Sequence, residues 1–154
     1  MSARVIGLRL NGAERTIATE DHVLLSELIR GLGLLGTKVS CDMQVCGACT
    51  VLLNGRPVSA CTTLAIEADG AKVRTIEGLA QGQQLHPLQS AFIERSAFQC
   101  GYCTPGMIMS ATALLAEHSA PDADAVRHWM DGNICRCTGY ETIVDAVLDA
   151  AGRR

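Results

Sequence analysis

Residues 41–61 read CDMQVCGACTVLLNGRPVSAC and set Cys41, Cys46, Cys49 and Cys61 in a C-x4-C-x2-C-x11-C spacing. Three soft donors fall within nine residues, and the fourth returns after a stretch that reads strand, turn, strand: Thr50-Val51-Leu52-Leu53, then Asn54-Gly55, then Pro57-Val58-Ser59. The spacing therefore predicts a loop that wraps its own ligands and is closed by a hairpin. Gly47 permits close backbone approach inside it.

Upstream of this loop the chain reads as β structure. Ile6, Leu8 and Leu10 alternate with Gly7 and Arg9, Asn11-Gly12 marks a hairpin, and Glu14–Thr19 forms the return strand. His22–Arg30 then switches to helical spacing through Leu24 or Leu25, Leu28 and Ile29, and Gly31, Gly33 and Gly36 loosen the chain before Cys41. Downstream, Lys72–Ile76 is the last expected strand. From Glu77 the periodicity is helical: a helix opened by Pro87 and ending near Cys100, then Met107–Glu117, Asp122–Asp131 and Tyr140–Ala151. The fold class is α+β, with a β-rich half over 1–77 and a helical half over 78–154. The stretch GLAQGQQLH is the expected linker.

The helical half carries a second quartet. Cys100 and Cys103 form C-x2-C, and Cys135 and Cys137 form C-x-C after an interval of 31 residues. Thr104-Pro105 reads as an N-cap with Pro at the first helical position, and Thr138 with Glu141 fits a capping box. Two helices would then start beside the cysteine pairs and point their positive ends at an anionic site. Each quartet is the size of one [2Fe–2S] ligand set, and the first has the plant-type ferredoxin spacing. Two such sites with no other visible chemistry describe an electron relay. Disulfides and structural zinc are competing readings of the same cysteines. Three thiols in nine residues of a chain with no secretory signal argue against disulfides, and the x4-then-x2 spacing is foreign to structural zinc loops.

Composition narrows the class further. Only 3% of the 154 residues are aromatic, so the core is built from Leu, Ile, Val and Ala, and bound clusters would add cross-links to it. A net charge of −3, from 13 basic and 16 acidic residues without runs, excludes a nucleic-acid partner. MSARVIGLRLNG is no secretory signal and no apolar stretch approaches the ~20 residues of a membrane span, so a cytoplasmic protein is expected. His22, His86, His118 and His128 have no ligand spacing and read as surface or capping residues. Trp129, Met130, Met107 and Met109 read as packing, and Arg136 as either a charge-balancing contact or a solvent-exposed side chain.

The stretches QCGYCTPGMIMSA and GNICRCTGYETIVDAV, together with CGACTVLLNG and the return to Cys61, resemble the small iron–sulfur subunit of the molybdenum hydroxylases, the xanthine oxidase family, over nearly the whole chain. The resemblance implies a β-grasp, plant-type ferredoxin-like N-terminal domain and a C-terminal four-helix bundle, each with one [2Fe–2S] cluster. It implies a large partner subunit with molybdopterin, in bacteria as the cytosine dinucleotide, and a medium partner subunit with FAD. The cluster on Cys100, Cys103, Cys135 and Cys137 would lie nearest molybdenum, the one on Cys41, Cys46, Cys49 and Cys61 nearest FAD, and Gln99 and Cys137 would lie against the pterin. A free-standing two-cluster ferredoxin is the other functional reading; the helical half with its apolar flank GMIMSATALL argues for the subunit. The chain departs from the family loop at Asp42 and Gln44, where glycines are usual.

Overall fold

The computed structural model describes residues 3–152. Strands β1 (Ala3–Leu10) and β2 (Ala13–Glu20) form the hairpin that Asn11-Gly12 requires, both turn residues lying in the left-handed region at φ +50° and +87°. The two-residue period of β1 buries Ile6, Leu8 and Leu10 and leaves Val5, Gly7 and Arg9 outside. Helix α1 (Leu25–Gly31) begins at Leu25 rather than His22. Leu24 is held in a bridge with Leu64, and its amide donates to the Glu27 carboxylate at 2.9 Å, which sets the first turn one step beyond it.

β3 (Thr50–Leu53) and β4 (Arg56–Ser59) make the second hairpin, with β5 (Lys72–Arg74) between it and β1. The sheet order is β2-β1-β5-β3-β4; β1 and β5 run parallel and the other neighbours antiparallel. β5 stops at Arg74, short of the expected Ile76, because Asn11 takes over the next residue. The Asn11 carboxamide accepts from the Thr75 amide at 2.8 Å and donates to the Thr75 hydroxyl at 2.9 Å, and a 3-10 turn follows at Ile76–Gly78. Under the sheet Leu8, Leu10, Leu25, Ile29, Val51 and Val73 pack with Cys49 and Cys61.

The helical half has its own core. α2 (Pro87–Glu94) ends well before Cys100, where Ser96 adopts φ +49°. α3 (Thr104–Glu117) is buried continuously from Gly106 to Leu115, with β3 and β4 on one side and α2 and α4 on the other. A helix apolar on all faces belongs in such an interior, and the small residues Gly106, Ser110, Ala111 and Ala113 let its neighbours approach. α4 (Ala123–Met130) is capped by Asp122, whose carboxylate accepts from the Ala125 amide at 2.8 Å, and packs on α3 and α5 (Glu141–Gly152). α2 lies against α5, its end tied to that helix by the Arg95–Asp149 pair at 2.9 Å. Leu79, from the expected linker, is buried in this second core with Leu88, Phe92, Leu114, Ile143 and Val147. No helix among the described residues is long and apolar enough to cross a membrane.

The two halves meet where α3 begins. A side chain at Gly106 would place its first carbon 2.2 Å from the Gly47 carbonyl oxygen and 3.1 Å from the Ala48 backbone, so α3 rests directly on the first cysteine loop. Gly106→Ala forces that contact apart, with an expected loss of ~1–3 kcal/mol typical of overpacking. Denaturant unfolding of the variant beside the parent checks this; an unchanged midpoint would refute the close contact.

Candidate metal centres

The first cysteine loop is built around one sulfur. Cys41 Sγ accepts from the amides of Val45 and Cys46, each at 3.3 Å. To aim these amides inward the backbone passes through the left-handed region at Asp42 (φ +54°), Gln44 (φ +61°) and Gly47 (φ +69°). The positions where glycine is usual thus keep a glycine-like conformation although they carry side chains. Gln44 is further tied by its carboxamide oxygen, which accepts from the Thr62 hydroxyl at 3.1 Å beside Cys61. Backbone N–H groups of Met43, Cys46 and Val45 pull the Cys41 thiol down to about 6, so it is a thiolate at neutral pH. Burial pushes Cys49 up to about 12, with the neighbouring Cys61 and Cys46 opposing a second negative charge there. Cys46 also lowers Cys41, and Cys61 also raises Cys49, so the sulfurs within each of these couples are close enough to interact.

In the second quartet Cys103 and Cys135 interact in the same way, as do Cys100 and Cys137. Burial pushes Cys103 up to about 12. Cys135 is also raised by burial, but donors from Thr138 outweigh this and leave it below its ordinary value. The Thr138 hydroxyl and amide approach Cys135 Sγ at 3.2 and 3.4 Å. All four cysteines line one cavity of about 180 Å3, which Cys46, Tyr102 and Arg136 also border. Gln99 and Cys137 are brought together: Gln99 Nε2 donates to the Cys137 carbonyl at 3.0 Å, beside the exposed Cys100 and Cys137.

Neither threonine serves as the expected helix cap. α3 already includes Thr104, with Cys103 at the cap position, and the Thr104 hydroxyl is buried without a partner. At α5 the Glu141 amide goes to the Gly139 carbonyl at 3.0 Å and the Glu141 side chain to Arg127 at 3.4 Å, so no capping box forms. The Thr138 hydroxyl has been recruited by sulfur, a partner that cap statistics do not include. Its oxygen also accepts from the Tyr140 amide at 3.2 Å. The histidines stay apart, as expected: His86 Nδ1 caps α2 by accepting from the Leu88 amide at 3.3 Å, and His118 stacks edge-on against Trp129. Trp129 is half-buried against the second core, and Met107, Met109 and Met130 are within it.

Four residues near the cysteines were not singled out from sequence. Ile134 N donates to the Cys46 carbonyl at 2.9 Å, and Asn133 Nδ2 to the Gly47 carbonyl at 3.1 Å. Tyr102, inside the C-x2-C, donates its hydroxyl to Val39 at 2.5 Å, and the Tyr140 hydroxyl accepts from the Cys135 amide at 2.9 Å. The only sequence signal was their position next to ligand cysteines. Among the described residues no three donors converge on a point that would hold a single metal ion. Four cysteines in each group are the number a [2Fe–2S] cluster takes, two on each iron.

The fold thus gathers its cysteines into two groups of four, one around the first loop and one around a single cavity. Residues 75–148 match the [2Fe-2S] binding domain family and residues 33–96 the 2Fe-2S iron-sulfur cluster binding domain family. The chain is 47% identical to the nicotine 6-hydroxylase small subunit of Paenarthrobacter nicotinovorans, over 96% of this chain and 90% of that one. It superposes on the structure of quinoline 2-oxidoreductase from Pseudomonas putida 86 with a TM-score of 0.94 at 45% identity, covering 97% of this chain and 94% of that one. On the aldehyde oxidoreductase of Desulfovibrio desulfuricans the TM-score is 0.93 at 46% identity, covering 97% of this chain but 17% of that much longer one. The chain belongs to the small iron–sulfur subunits of the xanthine oxidase family of molybdenum hydroxylases, and so is a subunit of an oxidoreductase.

The strained loop gives opposite expectations for two substitutions. Asp42→Gly removes a side chain from a left-handed residue and should stabilise the protein by ~1 kcal/mol. Gly47→Ala adds one where Asn133 Nδ2 stands 2.5 Å away, and should cost ~1–3 kcal/mol. Thermal melts of both variants read the difference; equal shifts would contradict the loop geometry.

Proposed function

We propose that this chain is the electron-transfer subunit of a heterotrimeric molybdenum-dependent hydroxylase or dehydrogenase. One [2Fe–2S] cluster is held by Cys41, Cys46, Cys49 and Cys61 in a β-grasp domain over 1–77, the other by Cys100, Cys103, Cys135 and Cys137 in a four-helix domain over 78–154. The observation that carries this is the gathering of the eight cysteines into two groups of four, with N–H and O–H donors already on the sulfurs of Cys41 and Cys135. The buried hydroxyl of Thr104, one residue past Cys103, is a further donor left over beside the second site.

When bound, the clusters supply one-electron acceptance and donation. The residues ligate, neutralise and orient. Cys49 and Cys103, held protonated by burial, give up their protons on binding iron, whereas Cys41 is already a thiolate. Gln99 and the exposed Cys137 face the large, molybdopterin-bearing subunit, with cytosine dinucleotide as the expected form of the cofactor. The quartet of the first loop faces the medium, FAD-bearing subunit. Substrate contacts lie on the large subunit, and the complex is cytoplasmic. The small-subunit name of the nicotine 6-hydroxylase relative and the far longer aldehyde oxidoreductase chain both support a partnered role.

Purified protein should be red-brown with about four irons and four acid-labile sulfides; zinc without visible absorption would sink the proposal. In the assembled complex Cys46→Ser should remove one reduced-cluster EPR signal and leave the other, with flavin reduction by substrate slowed. Cys103→Ser should remove the other signal. Loss of both signals from either variant in an intact complex would disprove the two ligand sets.

A further inference from the structure

We propose that Asn133 is a positioning residue that fixes the spacing of the two cysteine loops and, with it, the electronic coupling between the clusters they hold; this rests on the ligation proposed above. Asn133 is 6% exposed, and its own amide donates to the Met130 carbonyl at 2.9 Å, which anchors it to the end of α4. Its carboxamide crosses to the other half of the molecule, with Nδ2 3.1 Å from the Gly47 carbonyl and 3.5 Å from the Thr50 hydroxyl. The next residue, Ile134, donates its amide to the Cys46 carbonyl at 2.9 Å. Two consecutive residues of the second loop therefore grip two consecutive carbonyls of the first.

The grip lies beside a short bonded connection between the quartets. From Cys46 the backbone reaches its own carbonyl, crosses one hydrogen bond to Ile134, and arrives at Cys135 through a single further residue. The geometry has little slack. The Gly47 carbonyl is confined between the Asn133 carboxamide and α3 at Gly106, and a side chain at Gly47 would meet Asn133 Nδ2 at 2.5 Å and the Gly132 carbonyl at 2.6 Å. A buried amide with one dominant acceptor enforces a single arrangement, because leaving it unpaired is costly. In the transfer this arrangement serves, one electron leaves a reduced cluster on the Cys100 quartet and enters an oxidised cluster on the Cys41 quartet. No bond forms or breaks and no proton moves.

The test uses the complex purified with its native partner chains and compares the parent with Asn133→Leu, which keeps the bulk and loses the donor. With both clusters reduced, the magnetic splitting of their EPR signals reads the coupling directly. Flash reduction reads the inter-cluster rate, and redox titration reads each potential. The expected result is a smaller splitting and a severalfold slower inter-cluster step, with iron content and both potentials unchanged. Asn133→Asp, isosteric but unable to donate while ionised, should do the same. Parental splitting and rate in a variant carrying both clusters would overturn the proposal while leaving the ligation intact. Loss of iron from both variants would overturn it as well, since the residue would then be needed for folding rather than for spacing. A parent complex without iron would sink the ligation first, and this inference with it.

Discussion

The hydrogen bond from the Ile134 amide to the Cys46 carbonyl, with its neighbour from Asn133 to Gly47, ties the two cysteine loops together, beside the packing of Leu52 from β3 into the helical core. All eight cysteines lie outside the helices and strands, and irregular backbone has few partners of its own. Each loop satisfies some of its polar groups through the other loop or through a sulfur. That arrangement explains why α3 must start with small residues. Bulk at Gly106 would push the first loop away from Asn133 and undo the shared hydrogen bonding.

Much of the architecture was legible because local chemistry dictated it. Asn11-Gly12 and Asn54-Gly55 adopt the positive φ angles that two-residue hairpins need, and the flanking strands follow in register. Pro87 opens α2 and Asp122 caps α4 as their residue types imply. The spacing of the eight cysteines was equally plain in the sequence. What escaped was non-local. Leu24 is withheld from α1 by Leu64, β5 is cut short by Asn11, and α2 ends early at Ser96. The expected caps failed differently: Thr104 is itself the first residue of α3, and the Thr138 hydroxyl donates to Cys135 and accepts from Tyr140 within the loop.

The electrostatics of the two sites differ in a way spacing could not reveal. Cys41 is prepared as an anion by three backbone amides, while Cys49 and Cys103 are buried and resist charge. A site with one charged thiol already in place has a defined point for the first metal contact, and the reluctant thiols complete the set only once a cation is present. The scarcity of aromatic residues fits this picture: a core of Leu, Ile, Val and Ala leaves room for cross-linking by the sites themselves.

Asp42 and Gln44 have a further effect that concerns the chain before it folds. Glycine reaches the left-handed region freely, but it also samples every other region, so a glycine-rich loop loses much entropy on closing. With side chains at both positions the unfolded loop explores fewer shapes, and part of the cost of ordering is shifted from entropy into backbone strain. The first cysteine loop is in this sense a template already narrowed before its metal arrives, stiffer in its search and more tense when closed.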